Sequence, residues 1–149
     1  MNGKTIVVLG AGLGGMPAAY ELRAALDRKH DITVINAEDF FQFVPSHPWL
    51  AVGWRKREAI TLPIEPLLKK RGIRFIAGWV EKIDAPRNRL MLQGGREVDY
   101  DYLVLTTGIR SAYEDVPGLG PDGGHTQWIG TVGEAERTYA DFKKLVANP

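Results

Sequence analysis

The sequence predicts an α/β fold with a parallel sheet, crossover helices and an inserted β-meander, on the strength of three observations. A β-branched apolar run, Lys4 to Leu9, is followed at once by Gly10-Ala11-Gly12-Leu13-Gly14-Gly15. From Met16 to Arg28 the apolar residues Ala18, Ala19, Leu22, Ala25 and Leu26 recur at helical spacing, with Glu21, Arg23, Asp27 and Arg28 opposite them. A second apolar run, Ile32 to Ile35, completes a βαβ unit, for which a right-handed crossover is expected. Continuous apolar runs of this kind suit strands covered on both faces.

Phe40 to Trp54 is aromatic and punctuated by Pro45 and Pro48, which fix neither a helical nor a strand period. It reads as an ordered functional loop, and its aromatic residues also suit a roof over the core. Pro63 to Arg71 predicts a short helix with a basic end, capped by Gly72 in the left-handed conformation. Ile73 to Ala77, Val80 to Asp84, Arg89 to Gln93 and Glu97 to Tyr102 read as short strands in a β-meander, with turns at Pro86-Arg87-Asn88 and Gly94-Gly95. Tyr102 to Thr106 is a further apolar strand stopped by Thr107-Gly108, and Ser111 to Gly124 is a glycine- and proline-rich connection. Thr131 and Glu134 form a capping box before a last amphipathic helix carrying Ala135, Tyr139, Phe142, Leu145 and Val146.

Composition narrows the function. The 149 residues, 44% hydrophobic and 25% charged, suit one globular domain with a real core. A net charge of +1 gives no nucleic-acid footprint. Arg55-Lys56-Arg57 and Lys69-Lys70-Arg71 read as solvated faces, with a membrane-surface role as the alternative. The absence of cysteine excludes disulfides, thiolate metal sites and a cysteine nucleophile. His30, His47 and His125 are scattered, read as solvated or loop residues, and suggest no metal site. The first apolar run is too short to span a membrane and no secretory signal precedes it, so a cytoplasmic location is expected.

The glycine cluster fits G-x-G-x-x-G between a strand and a helix, the context of a dinucleotide-binding turn. Gly10 serves the tight turn, Gly12 the close approach of a pyrophosphate, and Gly15 the packing of helix on strand, while the helix N-terminus offers amides to the phosphates. An acidic residue usually ends the second strand, about twenty residues on, and accepts hydrogen bonds from the ribose. Asn36 stands there as a neutral acceptor, sharing the task with the Ala37 backbone, or else serving only as a turn residue. The turn alone fits NAD and FAD equally.

Tyr100-Asp101-Tyr102-Leu103-Val104-Leu105-Thr106-Thr107-Gly108 resembles the second FAD fingerprint of pyridine-nucleotide-disulfide-reductase-like flavoproteins, with Thr106 in place of the usual alanine. The meander matches that arrangement too, so the resemblance covers essentially the whole chain. Within the superfamily, Gly10 to Tyr20, Phe41-Gln42-Phe43-Val44-Pro45-Ser46 and Pro48-Trp49 to Gly53-Trp54 closely resemble sulfide:quinone oxidoreductases. The resemblance implies a Rossmann-like FAD-binding domain in which FAD is contacted by Gly10, Ala11, Gly12, Leu13, Gly14, Gly15, Asn36 and Ala37. Pro45 is implied to lie near the isoalloxazine, with Val80, Thr107 and Gly108 completing the site.

In that family redox cysteines take up sulfide sulfur, and electrons pass through FAD to a membrane quinone. The implied complete enzyme is peripheral at the inner membrane. Residues 1–149 would be the N-terminal part of a discontinuous FAD domain, with its closing segment, second dinucleotide-type domain, remaining cysteines and quinone pocket after Pro149. The family segment resembling Trp128-Ile129-Gly130-Thr131-Val132 commonly carries a cysteine where Gly130 stands, so no catalytic residue is assigned. Glycine there leaves open a branch without that cysteine, another oxidation on the same scaffold, or a deliberate change. By itself the chain is expected to be inactive, to bind FAD weakly and to self-associate through apolar surface. The competing readings are a type II NADH:quinone dehydrogenase and a non-catalytic dinucleotide-binding module.

Overall fold

The computed structural model describes residues 3–148. In chain order the elements are β1 (Thr5–Leu9), α1 (Gly15–Ala25), β2 (Asp31–Asn36), β3 (Phe40–Gln42), α2 (His47–Ala51), β4 (Thr61–Pro63), α3 (Ile64–Lys69), β5 (Arg74–Ala77), β6 (Val80–Asp84), β7 (Arg89–Leu92), β8 (Glu97–Asp99), β9 (Tyr102–Leu105) and α4 (Val132–Ala147). The chain forms two compact units. One comprises Met1–Phe41 and Pro63–Gly108, the other Gln42–Leu62 and Ile109–Pro149.

The first unit is built on a parallel sheet in the order β5-β2-β1-β9. Side chains alternate across a strand, so a continuous apolar run supplies two cores at once. Ile6, Val8, Ile32 and Val34 face Met16 and Ala19 of α1 and Ile64 and Leu68 of α3. Val7, Leu9, Ile35 and Ile76 face Leu90 and Leu92 of β7 on the opposite side. The antiparallel β6-β7-β8 sheet thus covers one face and the helices the other.

Two expectations are revised within this unit. Arg74–Ala77 is not a meander strand: it pairs in parallel with β2, where the Arg74 Nε donates to the buried Thr33 Oγ1 at 3.0 Å. Arg23 does not face solvent. Its guanidinium is buried and donates to the carbonyls of His30, Leu26 and Asp27 at 2.9, 2.9 and 2.6 Å, which holds together the turn that follows α1. The Nδ1 of His30 lies 3.2 Å from the Lys4 amide and accepts from it, which ties this turn to the start of β1.

In the second unit, the segment expected to be a loop contains α2 and a 3₁₀ turn at Val44–Ser46. Pro45 and Pro48 occupy first-turn positions, where a missing N–H costs nothing and the fixed φ suits the helix. His47 is fully buried, not solvated, and its Nδ1 lies 2.8 Å from the Ile129 carbonyl oxygen. A carbonyl only accepts, so the proton resides on Nδ1. A 3₁₀ turn at Tyr113–Asp115 interrupts the glycine-rich connection. Thr131 caps α4, its Oγ1 accepting from the Glu134 amide at 3.3 Å and donating to the Glu134 carboxylate at 2.9 Å, where the expected box has the carboxylate meet the Thr131 amide. Among the described residues no helix is long and apolar enough to cross a membrane, and no cluster of three or more histidine or acidic side chains is arranged to hold a metal.

Asp101 staples β9 to β1. Its carboxylate accepts from the Lys4 ammonium and the Thr5 amide, both at 2.8 Å, while its own amide donates to the Thr5 carbonyl at 2.8 Å. The Lys4 hydrogen bond, reinforced by the Thr5 amide, holds the Asp101 carboxyl below its usual range, and Asp101 raises Lys4 in return. A lowered carboxyl stabilises the fold above the unfolded-state range, and this is lost as pH falls through the native value. The raised ammonium stabilises below the ordinary lysine range and is lost as pH rises through its native value. Asp101→Asn is therefore expected to lower the thermal midpoint at neutral pH, with the gap from the wild type closing in acid. A gap independent of pH between neutrality and acid would contradict this. Leu68→Ala, at a fully buried position, is expected to cost about 2–5 kcal/mol in urea unfolding.

Candidate dinucleotide-binding turn

β1 and β9 are neighbours in parallel register, with Leu9 opposite Leu105, so the two glycine-bearing segments leave the sheet side by side. Gly10 turns with φ of 103°, and its amide donates to the Ile35 carbonyl at 2.8 Å. A Cβ on Gly10 would strike the Thr106 carbonyl, and one on Gly15 would strike the Gly10 carbonyl and stand 2.6 Å from Thr106 Oγ1. These two glycines are required by the fold.

Gly12 is different. Its φ lies outside the left-handed region, and beyond its own chain neighbours no protein atom lies within 4 Å of where its Cβ would be. The fold alone permits a side chain there, whereas a ligand resting against the backbone does not. The start of α1 has no capping side chain and no acidic residue in its first turn, so the positive end of its dipole is not neutralised by the chain. The open face at Gly12 and the backbone of the turn before α1 fit a pyrophosphate, whereas within the first helical turn the Met16 amide is bonded to the Gly12 carbonyl and Pro17 has no N–H.

Asn36 at the end of β2 is a clamp on the turn. Its Oδ1 accepts from the Ala11 amide at 2.9 Å and its Nδ2 donates to the Glu38 carbonyl at 2.8 Å. Both ends of the side-chain amide are therefore engaged within the protein, a more structural role than the ribose acceptor the sequence suggests. Leu13 and Ala37 are exposed beside it. Val80 opens β6 and packs on the second core face, while Thr107 and Gly108 are exposed just past β9, with open space at the Cβ position of Gly108. Pro45 belongs to the other unit, on the exposed part of a 3₁₀ turn, as does Gly130.

Sequence reasoning passed over Thr106. Its Oγ1 lies 2.9 Å from the Leu9 carbonyl oxygen and 3.0 Å from that of Gly10, and its Cγ2 lies 3.7 Å from the Cβ position of Gly14. The available signal was its departure from the alanine of the fingerprint. A hydroxyl there can donate to the carbonyls of the turn, which alanine cannot.

The sequence profile of the pyridine nucleotide-disulphide oxidoreductase family matches residues 4–146. The chain belongs to that family. This pyridine nucleotide-disulphide oxidoreductase chain is 40% identical over 147 residues to the sulfide-quinone reductase of Aquifex aeolicus, covering 98% of the chain and 33% of that protein. The X-ray structure of the sulfide:quinone oxidoreductase from Aquifex aeolicus superposes with a TM-score of 0.88 at 39% identity, over 98% of this chain and 33% of that one. The mitochondrial external alternative NAD(P)H-ubiquinone oxidoreductase B4 of Arabidopsis thaliana is 30% identical over 127 residues, 78% of this chain and 21% of that protein. The chain thus spans a third or less of the length of these relatives.

Gly15→Ala is expected to destabilise the family fold by about 1–3 kcal/mol, as an overpacked site does. Thr106→Val, which keeps the branched shape and deletes the hydroxyl, is expected to cost about 1 kcal/mol. Urea titration of both variants checks this, and wild-type stability in Gly15→Ala would contradict the close approach.

Proposed function

We propose that this chain is the FAD-binding N-terminal portion of a sulfide:quinone oxidoreductase-like flavoprotein, which in complete form passes electrons from sulfide through FAD to a membrane quinone. The open face at Gly12, in a turn otherwise closed by Thr106 and Asn36, carries the reading. The backbone of the Gly10 to Gly15 turn would hold the pyrophosphate, with Ala37, Val80, Thr107 and Gly108 in the same unit available to the rest of the cofactor. Bound flavin supplies a two-electron carrier. The chain's own contribution is to bind and orient it with backbone dipoles and glycine surfaces that demand little rearrangement. The resemblance to sulfide:quinone enzymes across both units supports sulfide as donor, and the complete enzyme is proposed to sit peripherally at the inner membrane.

A second reading, a type II NADH:quinone dehydrogenase, is supported by the 30% identity to an NAD(P)H-ubiquinone oxidoreductase. In the full-length protein, bleaching of flavin absorbance by sulfide and not by NADH favours the first, and the reverse favours the second.

Gly12 gives the decisive test of binding. Gly12→Ala is expected to leave the unfolding midpoint within about 0.5 kcal/mol of the wild type, as a substitution away from packed features does. The same change is expected to abolish or weaken at least tenfold the uptake of FAD, read as visible absorbance retained after gel filtration. Equal uptake by wild type and variant would remove the site from this turn.

A further inference from the structure

We propose that Trp128 is the specificity-determining residue of the 128–132 segment: its indole fills the space a side chain on residue 130 would need, and so bars a thiol from the position where the resembled family commonly carries one. The torsion of Gly130 does not demand glycine, for its φ is not in the left-handed region. The ring does. A Cβ built on Gly130 would fall among Cζ2, Cε2 and Cη2 of Trp128, far inside van der Waals contact.

The backbone on both sides of Gly130 is pinned, and the partly buried ring packs on Tyr113, so a side chain at residue 130 has to displace one or the other. His47 Nδ1–H donates to the Ile129 carbonyl at 2.8 Å, on the residue just before Gly130. On the other side, the Val132 amide donates to Gln42 Oε1 at 2.8 Å, and Thr131 caps α4. Thr138 Oγ1 lies 3.2 Å from the Trp128 carbonyl oxygen, its proton shared with that of Glu134 at 2.8 Å. The indole packs edge-on against Tyr113, with centroids 6.0 Å apart and planes at 77°. Glycine at 130 and tryptophan at 128 are therefore one coupled choice. Donors that must form a sulfur adduct with residue 130 are excluded, and restoring the cysteine alone does not readmit them. The consequence for donors rests on the flavoprotein reading above, whereas the lock is a property of this segment and is tested without flavin.

Because the chain contains no cysteine, G130C introduces a single thiol that a chromogenic thiol reagent reads without background. The test compares wild type, W128A, G130C and W128A/G130C by urea midpoint and by native-state labelling rate. G130C is expected to lower the midpoint or to prevent accumulation of folded protein, while W128A/G130C matches W128A in midpoint. Its thiol is expected to label at least tenfold faster than any folded G130C. G130A and W128A/G130A repeat the cycle with a smaller group, in case the thiol variant fails to fold. The proposal is overturned if G130C matches the wild type in midpoint and labels freely. It is equally overturned if the loss is as large without the indole as with it, including the case in which neither background folds. A confirmed lock stands whether or not the isolated chain retains FAD, and failure of the full-length protein to take up FAD would sink only the flavoprotein reading.

Discussion

The close approach of Gly10, Gly15 and Thr106 is the constraint on which the first unit depends. A helix can start directly from a strand, and lie against it, only if no side chain stands between the Gly10 carbonyl and the first turn of α1. β9 then closes over the same point, its threonine hydroxyl meeting the carbonyls of Leu9 and Gly10, the first of which also accepts from the Thr106 amide. Asn36 completes the enclosure from β2 by taking the Ala11 amide. Three strands thus converge on one turn, and what they leave uncovered is the surface around Gly12.

This arrangement recognises a ligand with almost no side-chain chemistry. Among the residues that meet in the turn, neither Asn36 nor Thr106 carries a charge, and the first turn of α1 bears no acid. An anion arriving there meets amides already held in place by the sheet, so little ordering cost remains at binding. The second unit works differently. Its histidine, glutamine and threonine side chains are spent on pinning backbone around a tryptophan.

The parallel strands, the glycine turn and the capped last helix were legible in the sequence because each obeys a local rule: two-faced apolar runs, glycine spacing, and Thr131 three residues before Glu134. Arg74–Ala77 was misassigned because its partner, β2, is about forty residues away and nothing local distinguishes a sheet edge from a meander strand. Pro45 and Pro48 obscured α2, since proline in the first turn of a helix looks from sequence like proline that breaks one. Arg23, His47 and Thr106 share another cause. Each acts on carbonyls that only the folded chain brings within its reach, so residue type and spacing carry no sign of the partner.

The staple between Lys4 and Asp101 joins residues 97 apart in the chain, as does the contact of Thr106 with Leu9. Closing so long a loop demands its entropy before any contact rewards it, which places the docking of β9 late on the folding path. During synthesis the glycine turn emerges early, yet it lacks its third wall until nearly a hundred further residues have left the ribosome. Until β9 docks, the surface around Gly12 is bounded on two sides only, by the turn itself and by Asn36.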